Sequence, residues 1–180
     1  MPDSAVVLRR AFAAAAVLWA SALPITSFAA SRPAPGAGWY AVALVAYGAG
    51  SLVCHQQPER SFHLWAAQMP VCARCAGIYF GGAIAAIAAV LAGDRQRRQA
   101  RSPPREMYAT HWLVAAAAPT AATLVFEWTT GVTPSNAMRA LAGMPLGAAV
   151  AVVIVGATRR AHRDDERVRR ALASEPDLME

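Results

Sequence analysis

Apolar residues run along this chain in long blocks, with neither the alternation of a half-buried strand nor the polar face of a soluble helix. Five blocks stand out, at residues 11–30, 39–53, 76–92, 111–128 and 137–158. A helix crosses the hydrocarbon core in about 20 residues, each rising about 1.5 Å, and these blocks reach or approach that length. The second is short, so its helix is expected to run past Val53. From residue 11 to 91 the only charges are Arg32, Glu59, Arg60 and Arg74; from 114 to 158 they are Glu127 and Arg139. No helix face in these stretches is polar enough to be solvated. The pattern predicts an all-α polytopic membrane bundle with five transmembrane helices, or four plus a peripheral N-terminal helix.

Polar punctuation divides the chain into three parts. Residues 1–36 are a hydrophobic segment ending in the turn-forming linker Arg32-Pro33-Ala34-Pro35-Gly36. Residues 37–158 form the expected core, and 159–180 a charged cytoplasmic tail. Within the core, residues 94–106 are polar and carry Pro103 and Pro104. Gly77 with Gly81, and Gly143 with Gly147, lie one helical turn apart, a spacing that lets backbones approach closely in lipid; an alanine-rich chain also produces it by chance. Pro119 and Pro145 fall inside apolar blocks and would kink them. The first segment has a competing reading, since Arg9-Arg10, an apolar run and Ser27-Phe28-Ala29-Ala30 have the form of a cleavable signal peptide.

Composition narrows the class. The chain is 56% hydrophobic and 16% charged, with a mean hydropathy of +0.31. That excludes a soluble globular enzyme and a disordered protein. The net charge of +6 suggests nucleic acid until its placement is read. All 17 basic residues are arginine; five lie in residues 94–106 and six in 159–170. Short basic segments flanking apolar spans follow the positive-inside rule. The expected partner is membrane lipid and not nucleic acid, in a multi-pass protein of the bacterial inner membrane. No protein partner can be read. With five spans, the arginine-rich loop and tail on the cytoplasmic side put the N-terminus outside, at the cost of translocating Arg9 and Arg10. Four spans with a partial first segment remove that difficulty.

The chemistry gathers in one place. Residues 54–63 read Cys-His-Gln-Gln-Pro-Glu-Arg-Ser-Phe-His, and residues 68–79 read Gln-Met-Pro-Val-Cys-Ala-Arg-Cys-Ala-Gly-Ile-Tyr. All three cysteines and two of the four histidines are here. Cys54 ends one block and Cys72 begins the next, so an antiparallel pair of helices would bring them together. Cys72 and Cys75, three apart, would share a helix face. A helix N-terminus and Arg74 favour thiolates there.

Three readings stay open. Cys54, Cys72 and Cys75 with His55 or His63 form a set suited to zinc or another transition metal ion at the outer membrane face. Alternatively, Cys72 and Cys75 cycle as a membrane thiol–disulfide oxidoreductase, with Cys54 as a mixed partner. Or the cysteines are a structural staple or inert. Glu127 and Arg139 are expected on the hairpin side, pairing with each other or with Arg60, Arg74 or His55; alternatively both snorkel to the interface. His111, His162 and the aromatics near block ends read as interfacial.

The run from Cys54 to Phe62, followed by that from Gln68 to Gly82, resembles the bacterial membrane family called domain of unknown function 2085. A weaker likeness runs from Pro119 through Glu127 to Ser135, Asn136, Arg139, Gly143 and Gly147. Ala76 stands where a hydroxyl residue is expected, and Glu127-Trp128 where an Asp-Gly pair is common. The resemblance implies a multi-span membrane protein and no particular activity.

Overall fold

The computed structural model describes residues 4–33, 36–96 and 106–173. In chain order its elements are α1 (Ser4–Ala30), α2 (Ala37–Val53), a 3-10 turn (Pro58–Arg60), β1 (Ser61–Leu64), β2 (Ala67–Cys72), α3 (Ala73–Gln96), α4 (Glu106–Thr130) and α5 (Asn136–Ala173).

Packing fixes the helix directions. Early in α1, Ala13 shares a buried cluster with Ala86 of α3 and Ala151 of α5. Late in α1, Leu23 is buried with Met69, Val71 and Ala76. So α1 runs against α3 and ends at the hairpin. Helices α3 and α5 run the same way and touch backbone to backbone. A Cβ at Gly77 would strike the Ala140 carbonyl, at Gly81 that of Met144, at Gly143 that of Arg74, and at Gly147 that of Ile78. Both glycine pairs therefore face one another, and dispersion between close backbones is what joins helices in lipid. Helix α4 runs against α5, with the Thr120 hydroxyl donating to the Ala142 carbonyl at 2.8 Å.

The expectation of five spans is not matched. Among the described residues three helices are long and apolar enough to cross a membrane: Ser4–Ala30, Ala73–Ala92 and Asn136–Thr158. At 17 residues α2 is shorter, and it does not extend past Val53. Cys54 is already extended at φ −147° and ψ 140°, and Gln56 is left-handed at φ 48°. The cause is a set of polar anchors at its end. Gln56 Nε2 donates to the carbonyls of Tyr47 (2.8 Å) and Pro70 (2.7 Å), and the Tyr47 hydroxyl donates to the Gln68 carbonyl. Helix α2 thus follows α1 after a short linker and delivers Cys54 to the same end of the bundle. A crossing helix would have delivered it to the other end.

The all-α expectation also needs correction. The connector before α3 is an antiparallel hairpin pairing Ser61 with Cys72, His63 with Gln68 and Leu64 with Ala67. Its two-residue turn, Trp65 and Ala66, has φ of 52° and 64°, the left-handed pair that such hairpins require. Trp65 is held edge-on against Phe28 of α1, ring centroids 5.2 Å apart.

Candidate functional site

The hairpin brings the cysteines together from three elements. Cys54 follows α2, Cys72 ends β2, and Cys75 lies in the first turn of α3. Cys72 is therefore not on the helix with Cys75; it precedes the helix as a cap. The three sulfurs lie within 4.8 Å of one another, and all three are free thiols, half-buried. The Cys72 amide donates to Cys54 Sγ at 3.1 Å. Leu23, Met69, Val71 and Ala76 pack beneath, with Trp19 edge-on to Tyr79 at 5.8 Å.

Cys72 lies outside the spans, and its thiol is pulled down to about 5. The largest cause is the hydrogen bond from the Cys75 thiol; burial opposes it, and the amides of Cys75 and Arg74 and the Cys54 thiol add to it. Those amides are the unsatisfied donors of a helix start, which favour a thiolate over a thiol.

The histidines stand elsewhere. Both His55 and His63 are exposed, and neither joins the three-cysteine group. His55 does line an open depression of about 380 Å³, together with Ser51, Leu52, Val53, Cys54 and Gln56. Of the three cysteines only Cys54 borders that depression.

The other face of α3's first turn is ionic. Glu127, 6% exposed, accepts on Oε1 from Arg139 at 2.9 Å and Arg60 at 2.7 Å. Arg74 Nη2 lies 3.9 Å from Oε2 and donates to the Thr123 hydroxyl at 3.3 Å. Arg139 is 1% exposed. Both Glu127 and Arg139 are thus inside the bundle at the hairpin end, with Arg60 and Arg74 upon them.

Three polar side chains that hold this end together, those of Gln68, Ser61 and Asn136, stand in the motif runs without a role assigned from sequence. The Gln68 side chain donates to the Gln56 carbonyl at 2.5 Å and to the Ser61 hydroxyl at 3.3 Å. Buried Ser61 donates to the Gln57 carbonyl at 2.8 Å, and Asn136 Nδ2 donates to the Ser61 carbonyl at 2.9 Å. Their signal was available: amides and a hydroxyl beside cysteines in a chain this apolar need partners.

Fold and site together define a helical membrane protein whose polar end carries a three-thiol group beside a buried ion cluster. A model of a family of predicted membrane proteins, DUF2085, matches residues 54–153. The chain belongs to that family. The matched range begins at Cys54 and takes in all three thiols and all four members of the ion cluster. An uncharacterised protein of Methanocaldococcus jannaschii is 49% identical over 43 residues, 24% of this chain and 28% of that one. A second, from Methanothermobacter thermautotrophicus, is 52% identical over 29 residues, 16% of this chain and 26% of the relative. The chain spans about a quarter of the length of these relatives. Both are archaeal, so the likeness does not carry the expected bacterial inner membrane. No solved structure matches the chain.

Proposed function

We propose that Cys54, Cys72 and Cys75 bind one metal ion at the hairpin end of the bundle, with zinc the first choice. The observation that carries this reading is the convergence of three free thiols within 4.8 Å. Zinc bonds thiolate sulfur at about 2.3 Å, which puts tetrahedral sulfurs about 3.8 Å apart; small side-chain rotations close that gap. Cys72 is already favoured as thiolate, the form a metal needs. The fourth position falls to His55 from the rim of the depression, or to a small ligand entering there. Metal analysis of purified protein is the test. About one equivalent, lost in Cys75→Ser, supports the reading, and metal-free protein after purification in zinc sinks it.

One observation favours a second reading. A Cys-x-x-Cys pair whose first thiol is held near 5 also suits thiol–disulfide exchange. Metal-free protein with a reversible Cys72–Cys75 disulfide would establish it.

The helix directions support an orientation as well. The start of α1, the end of α3, the start of α4 and the end of α5 belong to the end opposite the hairpin. By sequence, thirteen of the 17 arginines fall within or next to those helix ends. Positive-inside bias makes that end cytoplasmic, with both termini inside and the thiols outside. Arg9 and Arg10 then need no translocation, which corrects the five-span count that set the N-terminus outside. In this reading residues 37–158 form the core with α1 packed into it, and 159–180 the cytoplasmic tail.

A further inference from the structure

The ion cluster does not balance. Glu127 alone faces three guanidinium groups, those of Arg60, Arg139 and Arg74 at 2.7, 2.9 and 3.9 Å. Two of the three share the single oxygen Oε1. The other acid at this end, Glu59, is exposed in the 3-10 turn. Buried Arg139 has no protein acceptor for its Nε and Nη1, and Arg74 has none for its Nε. Arg139 also stands in the first turn of α5, where the helix dipole is itself positive. Buried charge without compensation is costly, and ionisable residues at membrane depth are ordinarily paired. Three guanidinium groups face this one carboxylate, and no second carboxylate among the described residues pairs with them.

We propose that Arg60, Arg74 and Arg139 form an anion site that takes a phosphate group. Guanidinium forks match phosphate oxygens in pairs and hold them by charge-assisted hydrogen bonds. Arg60 is the open side: its side chain is 42% exposed, whereas those of Arg74 and Arg139 are 16% and 2% exposed. An anion arriving past Arg60 meets Arg74 and Arg139 behind it. The site lies where the spans Ala73–Ala92 and Asn136–Thr158 begin. That is the depth of a phospholipid headgroup, and it is also open to free phosphate. The proposal does not depend on the thiols.

The test uses the full chain, delipidated in a neutral detergent, with the thermal unfolding midpoint as readout. Inorganic phosphate is titrated against chloride at equal ionic strength, and short-chain phosphatidylglycerol against the matching diacylglycerol. The midpoint is expected to rise with a phosphate-bearing probe, and apparent affinity to fall about tenfold in Arg60→Gln, which loses one charge-assisted contact at an accessible position. Glu127→Gln removes the competing carboxylate, so any folded variant should respond more strongly than the parent. A response to both probes supports a site for phosphate from either source. Phosphatidylglycerol alone assigns it to a lipid headgroup, and inorganic phosphate alone to a soluble anion. No response beyond the chloride and diacylglycerol controls, or one undiminished in Arg60→Gln, overturns the proposal.

Discussion

Two triads meet at the first turn of α3 and differ in how they are balanced. Cys54 and Cys75 pack against Leu23 of α1, Met69 and Val71 of β2 and Ala76 of α3, and Cys72 joins them through its sulfur. Arg60, Arg74 and Arg139 face α4 and α5 and share one carboxylate. Deprotonated, the thiols accumulate negative charge and call for a cation; the arginines are permanently charged and call for an anion. The hairpin belongs to both, because β2 ends at Cys72 while Arg60 directly precedes β1. Adjacent sites of opposite sign can therefore be separated experimentally by asking which ligand each variant loses.

The largest effect is expected on the thiol side. Cys72→Ser or Cys75→Ser should lower bound metal from about one equivalent to less than about a tenth, since metal affinity falls steeply with a missing thiolate. Elemental analysis checks this, and unchanged phosphate stabilisation in the same variants would show the two sites to be independent. Glu127→Ala comes next. Removing the carboxylate leaves three guanidinium groups facing one another, and breaking a buried pair from one side costs about 3–5 kcal/mol. A lowered unfolding midpoint is expected, with the metal content of the surviving folded protein intact. A midpoint unchanged within error would mean that the cluster is solvated.

Gly147→Ala separates the triads more gently. The new Cβ would meet the Ile78 carbonyl, which cannot rotate away, so α3 and α5 must part. Overpacking of that kind costs about 1–3 kcal/mol. Arg74 and Arg139 sit on those two helices, whereas the thiols come from the end of α2, from β2 and from the first turn of α3. Loss of phosphate response with retained metal is expected; equal loss of both would show that the thiols depend on α5.

Much of this is legible in the sequence. The apolar blocks gave the helices, and the scarcity of charge made Glu127 and Arg139 conspicuous enough to place them together. The glycine pairs were visible but ambiguous, because spacing alone cannot say which faces meet. Two features were hidden for identifiable reasons. Block 39–53 is apolar throughout, and hydropathy cannot register that Gln56 and Tyr47 tie its end to the hairpin. The turn at Trp65-Ala66 carries neither glycine nor asparagine, the usual mark of a left-handed pair, so nothing announced a hairpin. Tertiary contact with Phe28 overrides local preference there. The thiol cluster is legible from the clustering and spacing of Cys54, Cys72 and Cys75, whereas proximity in sequence does not choose between His55 and His63, both of which are exposed.

In the metal-free protein, pH should single out one thiol of the three. Cys72 is lowered from 9.0 to about 5, so its thiolate predominates at neutral pH and is lost only as pH falls through about 5. Alkylation by iodoacetamide, mapped by peptide mass, should therefore remain fast at Cys72 at pH 6. A rate at Cys72 that falls away between pH 9 and 8 would place the hydrogen bond from Cys75 elsewhere.

The smallest expected effect tests the hairpin shared by both triads. Ala66 holds φ at 64° with its side chain exposed. A left-handed residue bearing a Cβ costs about 1–2 kcal/mol, and glycine removes that cost while giving back about 0.5–1 kcal/mol as greater freedom of the unfolded chain. Ala66→Gly should therefore stabilise by at most about 1.5 kcal/mol, read as a small rise in the unfolding midpoint. The turn sets the pairs Leu64–Ala67 and His63–Gln68, and a register shift before His63 then brings Ser61 opposite Cys72, so metal and phosphate responses should both be unchanged or slightly improved. A loss of either would mean that the register, and with it the convergence of Cys72 on Cys54, depends on a side chain at this position.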